Sequence, residues 1–348
     1  MELNQNIQIK EEKDITQENS DNNLSYSQRG LNKLASDCLQ VPEENPLVTK
    51  FPKNLMLEVT NACNLKCTTC YNPKMRRPKG FMGVELYKKI LMQAKDVGIE
   101  MIGLYTTGEA FLHPKIFDFI RLAKDMAFKY VYITTNGLLL NEDKINQIFL
   151  SGLDSIKFSI DAASAETYKI VRPPGDFDRL LRNIKILKQK RDEKNSPLKI
   201  YSSFILTKDN YHELREFQKF WAPWIDEISI HHVTNQSNLQ SEEFEKLSVR
   251  KNKHEVVEDK VCNFLWNRMI MTYDGQFTLC TEDFEGELIY GNIHEETMRE
   301  SWNNKKMQGF RKAFVTKDYS CNKRCEGCNT RLVAPERTHE ELKLELMQ

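Results

Sequence analysis

Three cysteines fall in the pattern Cys63-x3-Cys67-x2-Cys70, inside the run Asn61-Ala-Cys-Asn-Leu-Lys-Cys-Thr-Thr-Cys-Tyr71. Three thiolates in one tight loop can ligate three irons of a [4Fe-4S] cube and leave the fourth iron without a protein ligand. An open metal position is what a reacting cofactor requires, whereas a structural cluster or structural zinc is closed by four ligands. Isolated Cys-x2-Cys pairs commonly belong to zinc. The added x3-spaced cysteine, with no fourth ligand or histidine close by, favours iron here.

Five further cysteines gather near the other end, as Cys262-x12-Gly275-x4-Cys280 and Cys321-x3-Cys325-x2-Cys328. Eight of the nine cysteines therefore cluster, which in a reducing compartment points to metal ligation and away from a disulfide scaffold. Cys38 stands apart and reads as a small inert thiol.

Elements that position these groups emerge from Leu55 onward. Short β-type runs at Leu55 to Thr60, Met101 to Thr106, Tyr130 to Thr135, Ser155 to Ile160, Lys199 to Leu206 and Glu227 to Val233 alternate with amphipathic helical runs. One apolar helix face carries Leu86, Tyr87, Ile90, Leu91, Ala94 and Val97 and stops at Gly98. Pro114 opens a second with Ile116, Phe117, Ile120 and Ala123, and Phe177, Leu180, Leu181, Ile184 and Leu187 repeat the device. This alternation predicts an α/β fold, a partial (β/α)6 TIM-like barrel, with functional loops at the C-terminal ends of the strands. There stand the cysteine triplet after the first strand, Thr107-Gly108-Glu109 after the second, Asn136-Gly137 after the third and Asp161 after the fourth. Singly, these residues have ordinary readings as turns or a helix cap, and Arg172 as a surface charge; jointly, in order, they outline one site.

The expected organisation is a flexible polar tail over 1–48, the barrel core over 49–240, a charged linker over 241–260, a Cys-rich unit over 261–334 and a C-terminal tail over 335–348. The tail is poor in aromatics, with some helix expected near Leu31 to Leu39. Across all 348 residues, 50 basic side chains balance 50 acidic ones, so no electrostatic footprint for nucleic acid exists. With no signal-type segment and no run of roughly 18 apolar residues, the expectation is a cytoplasmic protein without a membrane span.

The triplet and the strand-end groups together resemble the radical S-adenosylmethionine (radical SAM) superfamily, whose defining motif has this spacing and this place after the first barrel strand. The resemblance implies that SAM chelates the open iron and is reductively cleaved to a 5′-deoxyadenosyl radical, which abstracts a hydrogen atom from a substrate. It implies that Gly108 and Glu109 receive the methionine amino group, that Asn136, Ser159 and Asp161 reach the SAM ribose or carboxylate, and that Arg172 pairs with the methionine carboxylate. Two residues depart from the pattern. Thr69 stands where many members carry an aromatic residue, and Thr107 replaces a glycine.

The C-terminal group, with Trp266, the Asp274-Gly275 turn, Gly291-Asn292-Ile293 and Trp302, resembles the extension called SPASM or, shortened, twitch. That implies an auxiliary iron-sulfur cluster closed by Cys262, Cys280, Cys325 and Cys328. Cys321 is then a spectator or a replacement for Cys325, and a four-cysteine zinc ribbon is the alternative for the whole group. Shortened extensions of this kind resemble those of dehydrogenases acting on aminocyclitols or sugars, which gives a small polar substrate as the reading. The alternatives are a SPASM-type peptide or protein maturase, and a non-catalytic metal-binding protein on a decayed fold. A flavodoxin or ferredoxin is the implied electron donor. Substrate-facing candidates at later strand ends are Tyr105, Ser202, His231 and His232, while Lys66 and Lys157 read as ordinary solvated charges.

Overall fold

The computed structural model describes residues 47–249, 262, 264–320 and 322–328. Cys38, Cys321, the helix expected near Leu31, the expected N-terminal tail up to residue 46 and the whole expected C-terminal tail lie outside the described residues.

Six parallel strands form in the predicted order: β1 (Asn54–Leu57), β2 (Met101–Gly103), β3 (Tyr130–Thr135), β4 (Ser155–Ser159), β5 (Lys199–Leu206) and β6 (Glu227–His232). Their pairing is sequential, for example Leu55 with Ile102, Ile133 with Ile156 and Phe204 with Ile230. β1 and β2 are buried on both faces, which is why Leu55 to Leu57 and Met101 to Gly103 carry no polar side chain. Both stop three residues earlier than the alternation predicts. Val59 N–H turns back onto the Leu57 carbonyl, and Thr60 pairs in an isolated bridge with Phe81, so the chain leaves the sheet to build the cysteine loop.

Helices α1 (Val84–Asp96), α2 (Ile116–Asp125), α3 (Glu142–Ser151), α4 (Ala165–Val171), α5 (Phe177–Glu193) and α6 (Leu214–Trp221) connect these strands. The side chains of Asn141, Ser164 and Asp176 accept from backbone N–H groups in the first turns of α3, α4 and α5 and fix where those helices start. Ile90, Ile120, Ile148, Ile184 and Phe217 bury the helix layer against the outer face of the sheet.

Two features were not foreseen. The segment read as a linker opens with a helix, α7 (Ser241–Leu247), whose Phe244 is buried. The Cys-rich unit does not stand apart from the barrel: β7 (Met269–Met271) pairs in parallel with β1, Met56 opposite Ile270, and β8 (Gln276–Thr278) and β9 (Ile289–Asn292) follow antiparallel. One nine-stranded sheet, β6-β5-β4-β3-β2-β1-β7-β8-β9, therefore runs through both parts. Helices α8 (Phe264–Asn267), α9 (Met298–Trp302), α10 (Lys305–Thr316) and α11 (Lys323–Glu326) complete the described chain. None of the described helices is long and apolar enough to cross a membrane.

Candidate active site

The loop carrying Cys63, Cys67 and Cys70 is held by a buried polar frame. Asn61 donates to the Pro78 carbonyl and accepts from Gly80 N–H, each at 2.8 Å. Asn72 donates to the carbonyls of Asn61 at 2.8 Å and Thr107 at 2.6 Å. The Lys79 ammonium closes the frame on the Asn61 carbonyl at 3.2 Å and the Asn72 side-chain oxygen at 3.0 Å. On the far side, Lys66 and Thr68 donate through their backbone N–H groups to the Pro173 and Val171 carbonyls at 2.6 and 3.1 Å. Backbone groups of a buried loop need partners, and satisfying them here leaves the loop little freedom.

All three thiols are half-buried and line one cavity of about 420 Å³ at the C-terminal ends of the strands. Burial, reinforced by the neighbouring thiols, pushes Cys63 up to about 11 and Cys70 up to about 12. Burial raises Cys67 as well, against the pull of Arg172. Thiols that resist ionisation by themselves yet crowd one another suit a cation that stabilises all three thiolates at once. No three His, Cys, Asp or Glu side chains among the described residues are gathered round one point as a single bound ion would require. The donor set is therefore judged by its chemistry and place: three thiols on one loop, facing a cavity with room beside them, fit an iron-sulfur cube with an open corner.

Gly108 is where the second strand end meets this loop. A Cβ there would lie 2.3 Å from the Thr60 carbonyl oxygen and 2.6 Å from that of Ala62, so no larger residue permits the approach. Thr107, the departure from a glycine, donates its hydroxyl to the buried carboxylate of Glu58, which also receives Arg77. Glu109 accepts from the Thr135 hydroxyl at 2.7 Å, Asn136 N–H at 2.7 Å and Phe111 N–H at 3.1 Å. Two of these bonds tie the end of β2 to β3, the third caps the turn that follows Glu109 itself, and roughly one of its four acceptor positions remains. Asn136 donates to the Asn64 side chain at 2.8 Å, joining the third strand end to the cysteine loop.

Ser159 and Arg172 line the cavity; Asp161 does not. Asp161 sits behind, with φ at 64°, accepting Ile205 N–H at 2.7 Å and forming an ion pair with Arg172. The other arm of the Arg172 guanidinium lies 3.5 Å from Cys67 Sγ. The expected roles of Asp161 and Arg172 are thus linked, one holding the other.

Tyr105, His231 and His232 line the cavity as expected. Ser202 does not: it is fully buried on the opposite face, and its neighbour Ser203 takes the place inside. Lys157 is likewise not a solvated surface charge. It lies on the barrel-facing side of β4, two residues before Ser159, in the cavity wall. Strand alternation was the signal that could have found both, since residues i and i+2 share a face.

In the C-terminal part, the Asp274-Gly275 turn, with Gly275 at φ 90°, joins β7 to β8 and delivers Cys280 two residues past β8. The charges of Cys262 and Cys328 bear on Cys280, whose thiol burial holds well above its ordinary range. Cys325, on α11, receives Asn322 Nδ2 at 3.0 Å. The loop after β6 reaches both cysteine groups. Gln236 accepts from Tyr71 N–H at 2.7 Å, Asn235 donates to the Gly327 carbonyl at 2.7 Å, and the Ser237 hydroxyl is 3.7 Å from Cys280 Sγ. Thr281, Glu282 and Phe284 bring the Cys-rich unit into the cavity wall itself.

Residues 57–220 match the radical SAM superfamily, and residues 262–329 match the SPASM iron-sulfur cluster-binding domain. The chain belongs to the radical SAM superfamily and carries a C-terminal SPASM domain. The cofactors of this radical SAM enzyme are a [4Fe-4S] cluster and SAM, and its SPASM domain implies further iron-sulfur chemistry. Along most of its length the chain is similar to a tungsten-containing aldehyde ferredoxin oxidoreductase cofactor-modifying protein of Pyrococcus furiosus, 24% identical over 319 residues, covering 80% of this chain and 88% of that one. A probable GTP 3',8-cyclase of Saccharolobus islandicus is 30% identical over 165 residues, 47% of this chain and 51% of the relative. Among solved structures, BtrN in complex with AdoMet and 2-DOIA superposes with a TM-score of 0.59 at 19% identity, covering 81% of this chain and 94% of BtrN. Streptococcus suis SuiB bound to precursor peptide SuiA gives 0.64 at 16% identity, covering 90% and 80%. At these identities the two structures establish the shared fold.

Proposed function

We propose that this radical SAM enzyme oxidises a small polar molecule of sugar or cyclitol type inside the barrel. In this reading Cys63, Cys67 and Cys70 hold the SAM-binding cluster, and Cys262, Cys280, Cys325 and Cys328 hold one auxiliary cluster. When bound, the first cluster and SAM supply a 5′-deoxyadenosyl radical that takes a hydrogen atom from the substrate. The protein's own side chains do the positioning. Gly108 lets the SAM methionine approach the backbone, Glu109 offers its remaining lone pair to the amino group, and Asn136 and Ser159 face the ribose. Arg172, oriented by Asp161, faces the carboxylate and the Cys67 sulfur. Completing a two-electron oxidation then requires loss of one proton and one electron from the substrate radical, and an auxiliary cluster held by Cys262, Cys280, Cys325 and Cys328 would be the electron acceptor.

The observation that carries this reading is that one cavity of about 420 Å³ has the cysteine triplet in its wall and Thr281, Glu282 and Phe284 of the SPASM domain in the same wall. That size is typical of small-molecule sites. A BtrN structure holding AdoMet and 2-DOIA, and a relative named for modifying a cofactor, support a small substrate. The second reading, a peptide maturase, draws on the likeness to SuiB with its precursor peptide. The electron donor in either reading is a flavodoxin or ferredoxin, and the compartment is the cytoplasm.

The experiment is anaerobic purification, reconstitution, reduction and addition of SAM, with 5′-deoxyadenosine as the readout. Its absence from protein with a full complement of iron and sulfide would move the assignment to a non-catalytic metal protein on the same fold. Iron, sulfide and zinc counts on wild type and on the Cys262→Ala/Cys280→Ala variant separate one cube, two cubes, and one cube plus zinc.

A further inference from the structure

The cavity wall contains a cation that nothing in the described structure neutralises. Lys157 stands two residues before Ser159 on the same face of β4, roughly 6.6 Å deeper in the barrel at 3.3 Å per residue. Its register partners are Thr134 on β3 and Tyr201 on β5, so it is centred in the parallel sheet. Its ammonium lies 6.0 Å from the centre of the Tyr105 ring. Among the described residues it makes no hydrogen bond and no ion pair.

Glu227 shares this face of the sheet two strands away, beyond Tyr201, and forms no ion pair with Lys157; the other carboxylates of the region are engaged by other groups. Glu109 is bound by Thr135 and by the backbone of Asn136 and Phe111. Asp161 is paired with Arg172, and Glu282 accepts the Thr234 hydroxyl at 3.0 Å. His231 and His232 share the wall with Lys157. Burial, with the Lys157 charge behind it, pushes His231 down to about 4, so at neutral pH its ring is an uncharged donor beside a cation. An ammonium held in a half-enclosed cavity without a counter-ion is costly, and that cost is recovered when a ligand brings the anion.

We infer that the substrate of this cavity carries a carboxylate or phosphate group, seated on the Lys157 ammonium with the His231 ring and Ser203 hydroxyl as neighbouring donors. The inference rests on the reading of the cavity as the reaction site and adds the charge class of what enters it. An anion there lies below the strand-end groups assigned to SAM, so it anchors the end of the substrate remote from the reacting carbon.

The test uses reconstituted, SAM-loaded protein titrated calorimetrically with D-glucose 6-phosphate, D-glucuronate and uncharged D-glucose. Wild type is expected to bind at least one of the two anions at least tenfold more tightly than glucose, and the stronger of the two identifies phosphate or carboxylate. Lys157→Gln is expected to erase that preference, and Lys157→Met to melt at or above the wild-type temperature, because an unpaired charge has been removed. Equal affinity of wild type for all three probes overturns the inference. So does a preference that survives Lys157→Gln, or a Lys157→Met variant that melts several degrees lower, which would mark the lysine as paired within the protein. 5′-Deoxyadenosine formation by reduced wild type is read in parallel, so that a failure of the radical chemistry is seen separately from a failure of anion recognition.

Discussion

The Arg172 guanidinium lies 3.5 Å from Cys67 Sγ through one nitrogen while the other is bound to the Asp161 carboxylate. Both side chains of this ion pair are nearly inaccessible to solvent. A charge buried this deeply is stable only with its partner, so the pair fixes the position of the cation against the cysteine loop.

Arg172→Met leaves the Asp161 carboxylate buried and alone. The expected cost is about 3–5 kcal/mol of unfolding free energy, with much of it returned in the double variant Arg172→Met/Asp161→Asn. Urea titration of the single and double variants measures this. A single variant as stable as wild type would contradict the pairing.

Gly108→Ala places a methyl group on the Thr60 and Ala62 carbonyls. Either the loop shifts or the strand end does, at about 1–3 kcal/mol, and iron bound after reconstitution should fall below about half of the wild-type amount. Gly83→Ala, where a Cβ meets nothing within 4 Å, is the matched control and should retain its iron.

Asn72→Leu keeps the volume of the side chain but removes the two hydrogen bonds it donates to the Asn61 and Thr107 carbonyls. The buried Thr107 carbonyl is left unmet and the Asn61 carbonyl keeps only the Lys79 ammonium at 3.2 Å, for an expected loss of about 1–3 kcal/mol. Thermal melting and iron content should fall together, because the same frame holds the triplet.

His231 titrates near 4 in the folded chain, below the ordinary value of 6.5. A group with a lowered folded pKa binds its proton in the unfolded chain first. Its contribution to stability is therefore full above about pH 6.5 and is lost as the pH falls toward 4, with a slope of up to about 1.4 kcal/mol per pH unit. His231→Gln should flatten the acid limb of the stability curve between those values relative to wild type. Urea melts at half-unit pH steps would detect it, and parallel curves would refute it.

Alternation of strand and helix patterns made the six barrel strands legible, because each strand buries its own apolar run against the helix beside it. The cysteine loop was legible from its spacing, and Gly108 from its place at a strand end together with the family resemblance. What sequence did not reveal depends on partners distant along the chain. The inward place of Ser203 is the exception, because Ser202 shares a face with the buried Ile200 and Phe204 within one strand. The pairing of Asp161 with Arg172 depends on α4 folding the chain back between them. The junction of β7 with β1 joins segments more than two hundred residues apart, and no local pattern encodes it.

That junction also decides how the molecule tolerates division. β1 has a hydrogen-bonding neighbour on each side only because β7 is there, so cutting the chain before the SPASM domain would leave a short, mostly apolar ribbon with one row of unmatched amides and carbonyls. Such a margin recruits other chains. The barrel half on its own is thus a candidate for self-association, and the domain that houses the second set of cysteines doubles as the selvage that keeps the fabric from joining to its neighbours.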